Sequence, residues 1–397
     1  MIDDDSALYI GLISGTSADS IDAALVRFRD GKPQTLATHA HPWPPALRER
    51  VLAVAQAEAA LDLDAWGRLD VEIGRQFAAA AMQLLAHSGT AATAVRAIGS
   101  HGQTLRHRPG GNYPFTLQLG DPSVIAERCR IDVVADFRRA DVAAGGQGAP
   151  LLPALHAILL GEPGRTRAVL NLGGIANLTV LAADGGVRGF DTGPANGLLD
   201  AWCLRHRREP FDRDGAFASE GQILPDLLEV LLADPYFALP PPKSTGREYF
   251  HLDWLAAHAP LATLEPADVQ ATLLELTARS VASAVAQQAA PADEVLVCGG
   301  GVHNRKLMQR LGELLAPCRL GSTAERGIDP DFLEATAFAW LARQRLLKLP
   351  GNLPAVTGAR GPRVLGAIYS APESGAPESG LPESGLPESG LPESDLS

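Results

Sequence analysis

The chain has 397 residues, 46% of them apolar and 20% charged, and 34 Lys and Arg against 46 Asp and Glu give a net charge of −12. This length allows two domains, each with its own core, and the acidic balance excludes a nucleic-acid partner that would favour a basic face. No stretch approaches the roughly 20 apolar residues of a membrane span. Met1 to Ser6 is acidic with only a short apolar run behind it, and Cys129, Cys203, Cys298 and Cys318 form no CxxC or Cys/His cluster, so no signal peptide, zinc site or redox pair is expected and free thiols fit a reducing cytoplasm.

In chain order, Leu8 to Ile13 and Ile21 to Phe28 read as two strands joined by a Gly/Ser turn. This turn lacks the GKS or GKT ending of a P-loop and carries Asp19 and Asp22. Helical patterns follow at Ala46 to Ala60 and Asp64 to Ala86. "VRAIGSHGQT" reads as a strand running into a loop at Ser100 and His101. "FTLQLGD" is a strand, "PSVIAERC" a helix with Pro122 in its first turn, and "DVVADFR" another strand. "AGGQGAPLLPALHAILL" is a glycine loop entering a helix.

Around Arg167 the pattern restarts. "AVLNLGGIANLTVL" is strand, glycine turn, strand; after the tight turn "ADGG", "GVRGFDTGPANGLLDAWC" is a strand ending in a loop and then a helix. "DEVLVCGGGVHNRKLMQRL" is a buried strand, three glycines and a helix beginning near Asn304. "LEATAFAWLARQRL" is a helix with a small-residue face. From Ala371 the chain repeats Pro, Glu, Ser and Gly; this tail holds five Glu and one Asp with no Lys or Arg, half of the net charge. It has too little apolar surface to offset chain entropy and reads as disordered.

Three glycine-bearing turns at strand ends, Gly11 to Ser17, Phe190 to Gly197 and Gly299 to Asn304, suit phosphate, because exposed backbone amides bind anions. Singly, each is more often only a turn. Together, facing one cleft from both halves of the chain, they can hold a nucleotide's phosphates and metal, with the third turn near adenine and ribose.

The motifs "GLISGTSADSIDAAL", "SHGQTLRHRP", "LNLGGIANLT", "GFDTGPAN", "FDRDG", "PKSTGREYF", "CGGGVHN" and "EATAFAWLA", in this order from about Tyr9 to Tyr369, resemble those of the anhydro-N-acetylmuramic acid kinases. The resemblance implies an α/β protein of the actin and hexokinase type, with two ribonuclease-H-like lobes closing on ATP and sugar. It implies a first lobe of 1–135 completed by 340–370, a second lobe of 136–339, and the tail 371–397. The implied reaction opens 1,6-anhydro-N-acetylmuramic acid with water and phosphorylates its 6-oxygen, in peptidoglycan recycling in the cytoplasm. The implied partners are this sugar and ATP with Mg²⁺, no nucleic acid and no membrane, and a homodimer is left open. A kinase of another sugar, or a nucleotide-switched binding module, would share the fold; the module would call for a long substrate-binding domain, and only the repeat tail follows Tyr369.

Under this resemblance Asp191 is the catalytic base. Gly15, Thr16, Ser17, Ala18, Asp19, Ser20, Ile21 and Asp22 approach the nucleotide, as do Gly173, Gly174, Gly193, Gly299, Gly300, Gly301 and Asn304. Ser14, Asp19, His101, Gln103 and Glu334 face the sugar. Asp19 and Asp22 are candidates to hold Mg²⁺ through water, since Mg²⁺ keeps much of its hydration shell and needs one or two carboxylates. Asn171, Asn177 and Lys243 fit either a site or a structural role. Asp22 could instead brace the hairpin, and Asp191 could cap the following helix. Two residues depart from the family's pattern: Ser20 and Ala195 each replace a glycine, which would strain the backbone if φ were positive there.

Overall fold

The computed structural model describes residues 7–15, 17–55, 61–246, 249–288 and 291–373. Two sheets organise it. The first holds β1 (Leu8–Ser14), β2 (Ser20–Arg29), β3 (Lys32–Pro42), β4 (Val95–Arg108), β5 (Phe115–Leu119) and β6 (Val133–Ala135). The second holds β7 (Arg167–Leu172), β8 (Ile175–Leu181), β9 (Val187–Pro194), β10 (Glu294–Cys298) and β11 (Arg319–Ser322), in the order β11-β10-β7-β8-β9. A last strand, β12 (Ala367–Tyr369), returns to the first sheet and pairs antiparallel with β6. Each sheet starts with an antiparallel hairpin, β1–β2 and β7–β8, and continues with parallel strands: β4 beside β1, β6 beside β4, β10 beside β7 and β11 beside β10.

Both faces of each sheet are covered, which explains the near-continuous apolar runs of β1, β2, β7 and β10. In β1, Ile10 and Leu12 turn outward against Phe77 and Leu84 of the helix Leu63–Ser88. Tyr9 and Ile13 turn inward with Val26 and Phe28 of β2. The inward group continues through Phe338 and Trp340 of the helix Leu333–Leu346 and Leu155 of the helix Pro153–Leu160 to Val169 and Leu296 of the second sheet. The second sheet's outer face is covered by the helices Asn196–Arg207 and Pro266–Ala286, through Trp202, Leu273 and Val281. Each buried Leu or Phe contributes about 1.5–3 kcal/mol relative to exposure.

The helix Leu333–Leu346 sits unusually close to the first sheet. A Cβ on Gly11 would overlap the carbonyl of Ala335, and one on Gly99 the carbonyl of Phe338. The small face formed by Ala335, Ala339 and Ala342 thus meets bare strand backbone, and this contact fixes the helix's first turn, which carries Glu334. The whole helix lies on the first sheet, so the expected divide between residues 339 and 340 falls inside it. Leu155's helix, expected in the second lobe, lies between the sheets.

Several elements differ from the sequence reading. β3 was not expected: it continues the hairpin antiparallel to β2 as an edge strand, where Pro33 and the histidines His39 and His41 obscure its alternation. Ser100 and His101 lie inside β4 rather than in a loop, because β4 extends through 14 residues by pairing first with β1 and then with β5. β9 likewise runs through Asp191 to Pro194, held along its length by β8. The first helix spans Pro45–Ala55, and the rest of its expected range, with the tail from residue 374, lies outside the described residues. The four cysteines are free thiols. Among the described residues no helix is long and apolar enough to cross a membrane.

Candidate active site

Ligands in sheets of this kind bind beyond the carboxyl ends of the parallel strands. Those ends bring together Ser14 of β1, the Ser100–Gln103 stretch of β4, Asp136 to Arg138 after β6, Asn171 of β7 and Gly299 after β10. β9 adds Asp191 and the helix Leu333–Leu346 adds Glu334.

Asp191 is held from four directions. Its Oδ1 accepts a hydrogen bond from Asn177 Nδ2 at 2.8 Å and its Oδ2 one from the backbone N–H of Thr245 at 3.0 Å. Its own N–H donates to the carbonyl of Lys243, and its carbonyl accepts from the Tyr236 hydroxyl. Asn177 is the cross-strand partner of Asp191 in the β8–β9 register, so the sheet itself delivers the amide to the carboxylate. The helix after β9 begins at Asn196 behind Ala195, with no side-chain cap; Asp191 does not cap it.

Arg138 is a half-buried cation that the sequence reading did not single out. Its Nε donates to His101 Nε2 at 2.9 Å and its Nη1 to the carbonyl of Gly148 at 2.7 Å. Burial lowers its pKa, opposed by the charges of Glu334, Asp191 and Asp141. Arg138 thus lies within electrostatic reach of both cleft carboxylates. His101 is pushed well below the usual imidazole range by burial and then by Arg138. A neutral ring that accepts from Arg138 at Nε2 donates from Nδ1 to the carbonyl of Gly102, 2.9 Å away. Its ring lies 4.7 Å from that of Phe338. With both nitrogens engaged, His101 orients Arg138.

Glu334 has its carboxyl pKa raised by burial and by the charge of Asp22, while Arg138 and a hydrogen bond with Asn171 oppose the rise. Asp22 is pushed up to about 6, chiefly by burial, against a 2.6 Å hydrogen bond donated by Ser20 Oγ; Asp331 and Asp19 raise it further. Ser20, one of the two departures, therefore braces Asp22. Neither Ser20 nor Ala195 has a positive φ, so the strain considered for them does not arise.

Asp19 lies at the rim. Its carboxylate pairs with Arg48 at 3.0 Å, and the same guanidinium donates to the carbonyls of Ala18 and Ser17, clamping the β1–β2 turn. Ala18 is buried at φ 48°. Ile21 is a core residue paired with His41, so only its backbone could face a ligand. Ser14 Oγ accepts from Trp43 Nε1 at 3.2 Å, and Gln103 Nε2 reaches the carbonyl of Gly15 at 3.2 Å. A Cβ on Gly15 would meet only the Ser17 hydroxyl, at 3.9 Å. Thr16 lies outside the described residues.

On the second sheet, the turn Gly173–Gly174 is latched by Asn196 and Ala195, whose N–H groups donate to the carbonyls of Gly173 and Gly174. A Cβ on Gly300 would meet only Asn196 Nδ2, at 3.9 Å, whereas one on Gly299 would overlap Asn171 and one on Gly301 would press on Leu172. Asn304 caps the helix Arg305–Leu315 through the N–H of Leu307. The space beside Gly193 is filled by the Phe237 ring. Lys243 donates to the carbonyls of Tyr236 and Phe237 and lies 4.7 Å from the Tyr236 ring, so it ties the loop beside Asp191 together.

The arrangement can position a base, offer a cation and a protonatable carboxyl to a polar ligand, and present glycine turns from both sheets to phosphates. Arg138, Tyr236 and Arg48 were not singled out by any motif, and within "PKSTGREYF" the sequence reading considered Lys243 rather than Thr245. For Arg138, its place just past a parallel strand's carboxyl end was the available signal.

A model of the family described as anhydro-N-acetylmuramic acid kinase matches residues 7–371. The chain is 58% identical over 370 residues to a protein of that name from Xanthomonas axonopodis pv. citri, covering 92% of this chain and 99% of the other. It is 55% identical over 368 residues to one from Xylella fastidiosa (92% and 96% covered) and 50% identical over 363 residues to one from Coxiella burnetii (91% and 97%). Among solved structures, it is similar to the activator of the 2-hydroxyisocaproyl-CoA dehydratase from Clostridium difficile, at 13% identity and TM-score 0.41, covering 86% of this chain and 96% of that one. It is also similar to a ROK family glucokinase from Streptomyces griseus, at 15% identity and TM-score 0.39, covering 85% and 100%.

Proposed function

The chain belongs to the anhydro-N-acetylmuramic acid kinase family, and from this premise we propose that it opens 1,6-anhydro-N-acetylmuramic acid with water and transfers the γ-phosphoryl of ATP to the 6-oxygen. The products are N-acetylmuramic acid 6-phosphate and ADP, and the reaction serves peptidoglycan recycling in the cytoplasm.

The observation that carries this reading is the fixed carboxylate of Asp191, braced by Asn177 and Thr245 within electrostatic reach of Arg138. Asp191 takes a proton from water as the water oxygen bonds to the anomeric carbon. The bond from that carbon to the 6-oxygen breaks, and the 6-oxygen bonds to the γ-phosphorus as the bond to ADP breaks. No separate general acid is required, because phosphoryl captures the departing oxygen. Arg138 offsets negative charge near the base, and Glu334, biased toward its protonated form, can donate a hydrogen bond to a sugar oxygen. Ser14 and Gln103 supply further polar contacts. Gly15 and Ser17, the turn at Gly173–Gly174 and Gly300 approach the phosphates and base of ATP.

The donor set fits Mg²⁺. No group of three or more His, Cys, Asp or Glu suited to a metal occurs among the described residues, and Mg²⁺ bound mainly by water and phosphate needs only one or two carboxylates. Asp22 suits that role: burial and neighbouring carboxylates hold its charge at a cost that a cation would relieve. Asp19 is already paired with Arg48. Mg²⁺ bound there would neutralise charge on the transferred phosphoryl.

The test is product analysis in ¹⁸O-labelled water with ATP and either the anhydro sugar or plain N-acetylmuramic acid. Label at the anomeric carbon of a 6-phosphate formed from the anhydro sugar is expected. Phosphorylation of plain N-acetylmuramic acid alone would show a different sugar kinase.

A further inference from the structure

Among the described residues β9 is the edge strand of the second sheet, and the outward N–H and C=O of Asp191 are met there by another segment. That segment is 236–245. Lys243 O accepts from Asp191 N–H, the Tyr236 hydroxyl donates to Asp191 O, and the Thr245 N–H donates to Asp191 Oδ2. Three restraints on the base therefore come from the segment 236–245 rather than from the sheet. A loop reaching past a sheet edge orders only if its ends are tied.

Both ends are tied to one carboxylate. Asp234 Oδ1 accepts from the Tyr236 N–H at 2.8 Å, capping the short helix Pro235–Ala238 that opens the segment, and from the Tyr249 hydroxyl at 2.9 Å, where the chain returns. Its Oδ2 accepts from Trp254 Nε1 at 2.9 Å, joining the knot to the helix Leu252–His258. Asp234 is only 6% exposed. Around it Tyr236, Tyr249, Phe250 and Trp254 pack edge to face or tilted, with neighbouring ring centroids 4.8–6.1 Å apart. To this non-directional packing, and to the Lys243 bonds with the Tyr236 and Phe237 carbonyls, the carboxylate adds ties in three directions. Burying a carboxylate in an aromatic cluster is costly unless its lone pairs are filled, and here they are filled by the groups that set the loop's position.

We propose that Asp234 is a positioning residue for Asp191: by tying Tyr236, Tyr249 and Trp254 it holds the loop that aims the Thr245 N–H at the base. It touches no substrate. The inference rests on the reading of Asp191 as the base. An N–H donor favours the charged form of a carboxylate. Loosening the loop therefore makes Asp191 harder to ionise, with Arg138, Lys243 and Tyr236 among the groups that feel its charge. The acid limb of the pH–rate profile then moves to higher pH.

The experiment uses the full chain with Asp234→Ala, Asp234→Asn and Tyr249→Phe. The last keeps the ring packing and removes only one donor, so it remains informative if Asp234→Ala does not fold. Amide exchange at Thr245 in the ligand-free protein and kcat from pH 5 to 9 are measured together. Tyr249→Phe and Asp234→Ala are expected to speed exchange at Thr245 by about tenfold or more. They should lower kcat by about tenfold, leave KM for ATP unchanged and shift the acid limb upward by about half a unit or more. Asp234→Asn, which keeps one acceptor oxygen, should recover part of each effect. Unchanged Thr245 exchange overturns the tether. Faster exchange with a kcat lowered equally at all pH, the acid limb fixed, overturns the positioning role. Faster exchange together with full turnover in Asp191→Asn would leave the tether standing and remove the base it serves.

Discussion

Asp22→Asn is expected to make the protein more stable and less active at once. In the folded protein the Asp22 carboxyl is raised from 3.8 to about 6, mainly by burial, with Asp331 and Asp19 adding to the rise. The folded state therefore binds this proton more tightly than the unfolded state. Stability contributed by Asp22 is present at low pH, is lost as pH rises from about 4 to about 6, and stays lost above. A shift of about two units corresponds to about 3 kcal/mol of penalty at neutral pH. Asn removes the charge but keeps an oxygen for the Ser20 hydroxyl, now 2.6 Å from Asp22. The Glu334 carboxyl, raised partly by Asp22, relaxes in the same direction. At roughly 1–2 °C per kcal/mol for a folded body of this size, the melting temperature of Asp22→Asn should exceed that of the wild type by roughly 3–6 °C at pH 8. The difference should shrink toward zero near pH 4. The assay is a melt of both proteins across pH 4–8 with a chelator present, alongside turnover with Mg²⁺. A difference independent of pH, or a variant less stable at pH 8, would refute the reasoning.

Three other outcomes follow from named contacts. Gly99→Ala should lose about 1–3 kcal/mol in denaturant melts and lower turnover, because its Cβ drives the helix bearing Glu334 off the sheet; full stability would show that the helix can yield. Arg138→Leu leaves His101 Nε2 and the Gly148 carbonyl without donors and should cost about 2–4 kcal/mol, with Arg138→Lys intermediate in both melting and turnover. Ending the chain after Glu373 should leave the melting temperature and turnover unchanged. This cut spares the hydrogen bond from the Ala371 N–H to Asp132 and removes only the repeat composition; a large loss of either property would assign the repeats a role.

Local pattern carried the two hairpins, because β1–β2 and β7–β8 combine apolar strands with glycine turns that only sharp reversals need. It carried the helix start near Asn304, Asp191 on a strand beside a glycine turn and Asn177 beside the Gly173–Gly174 turn; that Asn304 caps its helix came from the structure. It did not carry β3, an edge strand with Pro33 and scattered polar residues, since edge pairing depends on the neighbouring strand more than on its own alternation. It stopped β4 at Ser100, because small and polar residues there resemble a loop until β5 supplies a second partner. Arg138, Thr245 and Asp234 share a different reason. Each acts through a contact distant in sequence — Arg138 with His101, Thr245 with Asp191 — and such pairings have no period to read. The pairing of Asp19 with Arg48 was hidden in the same way, and it separates two carboxylates that look equivalent three residues apart.

If Asp191 deprotonates the attacking water, Asp191→Asn removes the base while keeping its shape. The amide keeps the size, and Asn177, by turning its own amide, can still meet it, so the Thr245 and Asn177 contacts need not be lost. Calorimetry should show anhydro sugar and ATP binding roughly as in the wild type. Turnover should fall by about 10²–10⁴-fold, the usual share of a positioned base, with ring opening and phosphorylation falling together. Near-normal turnover on the same preparation, with water-derived oxygen still at the anomeric carbon, would show that Asp191 is not the base.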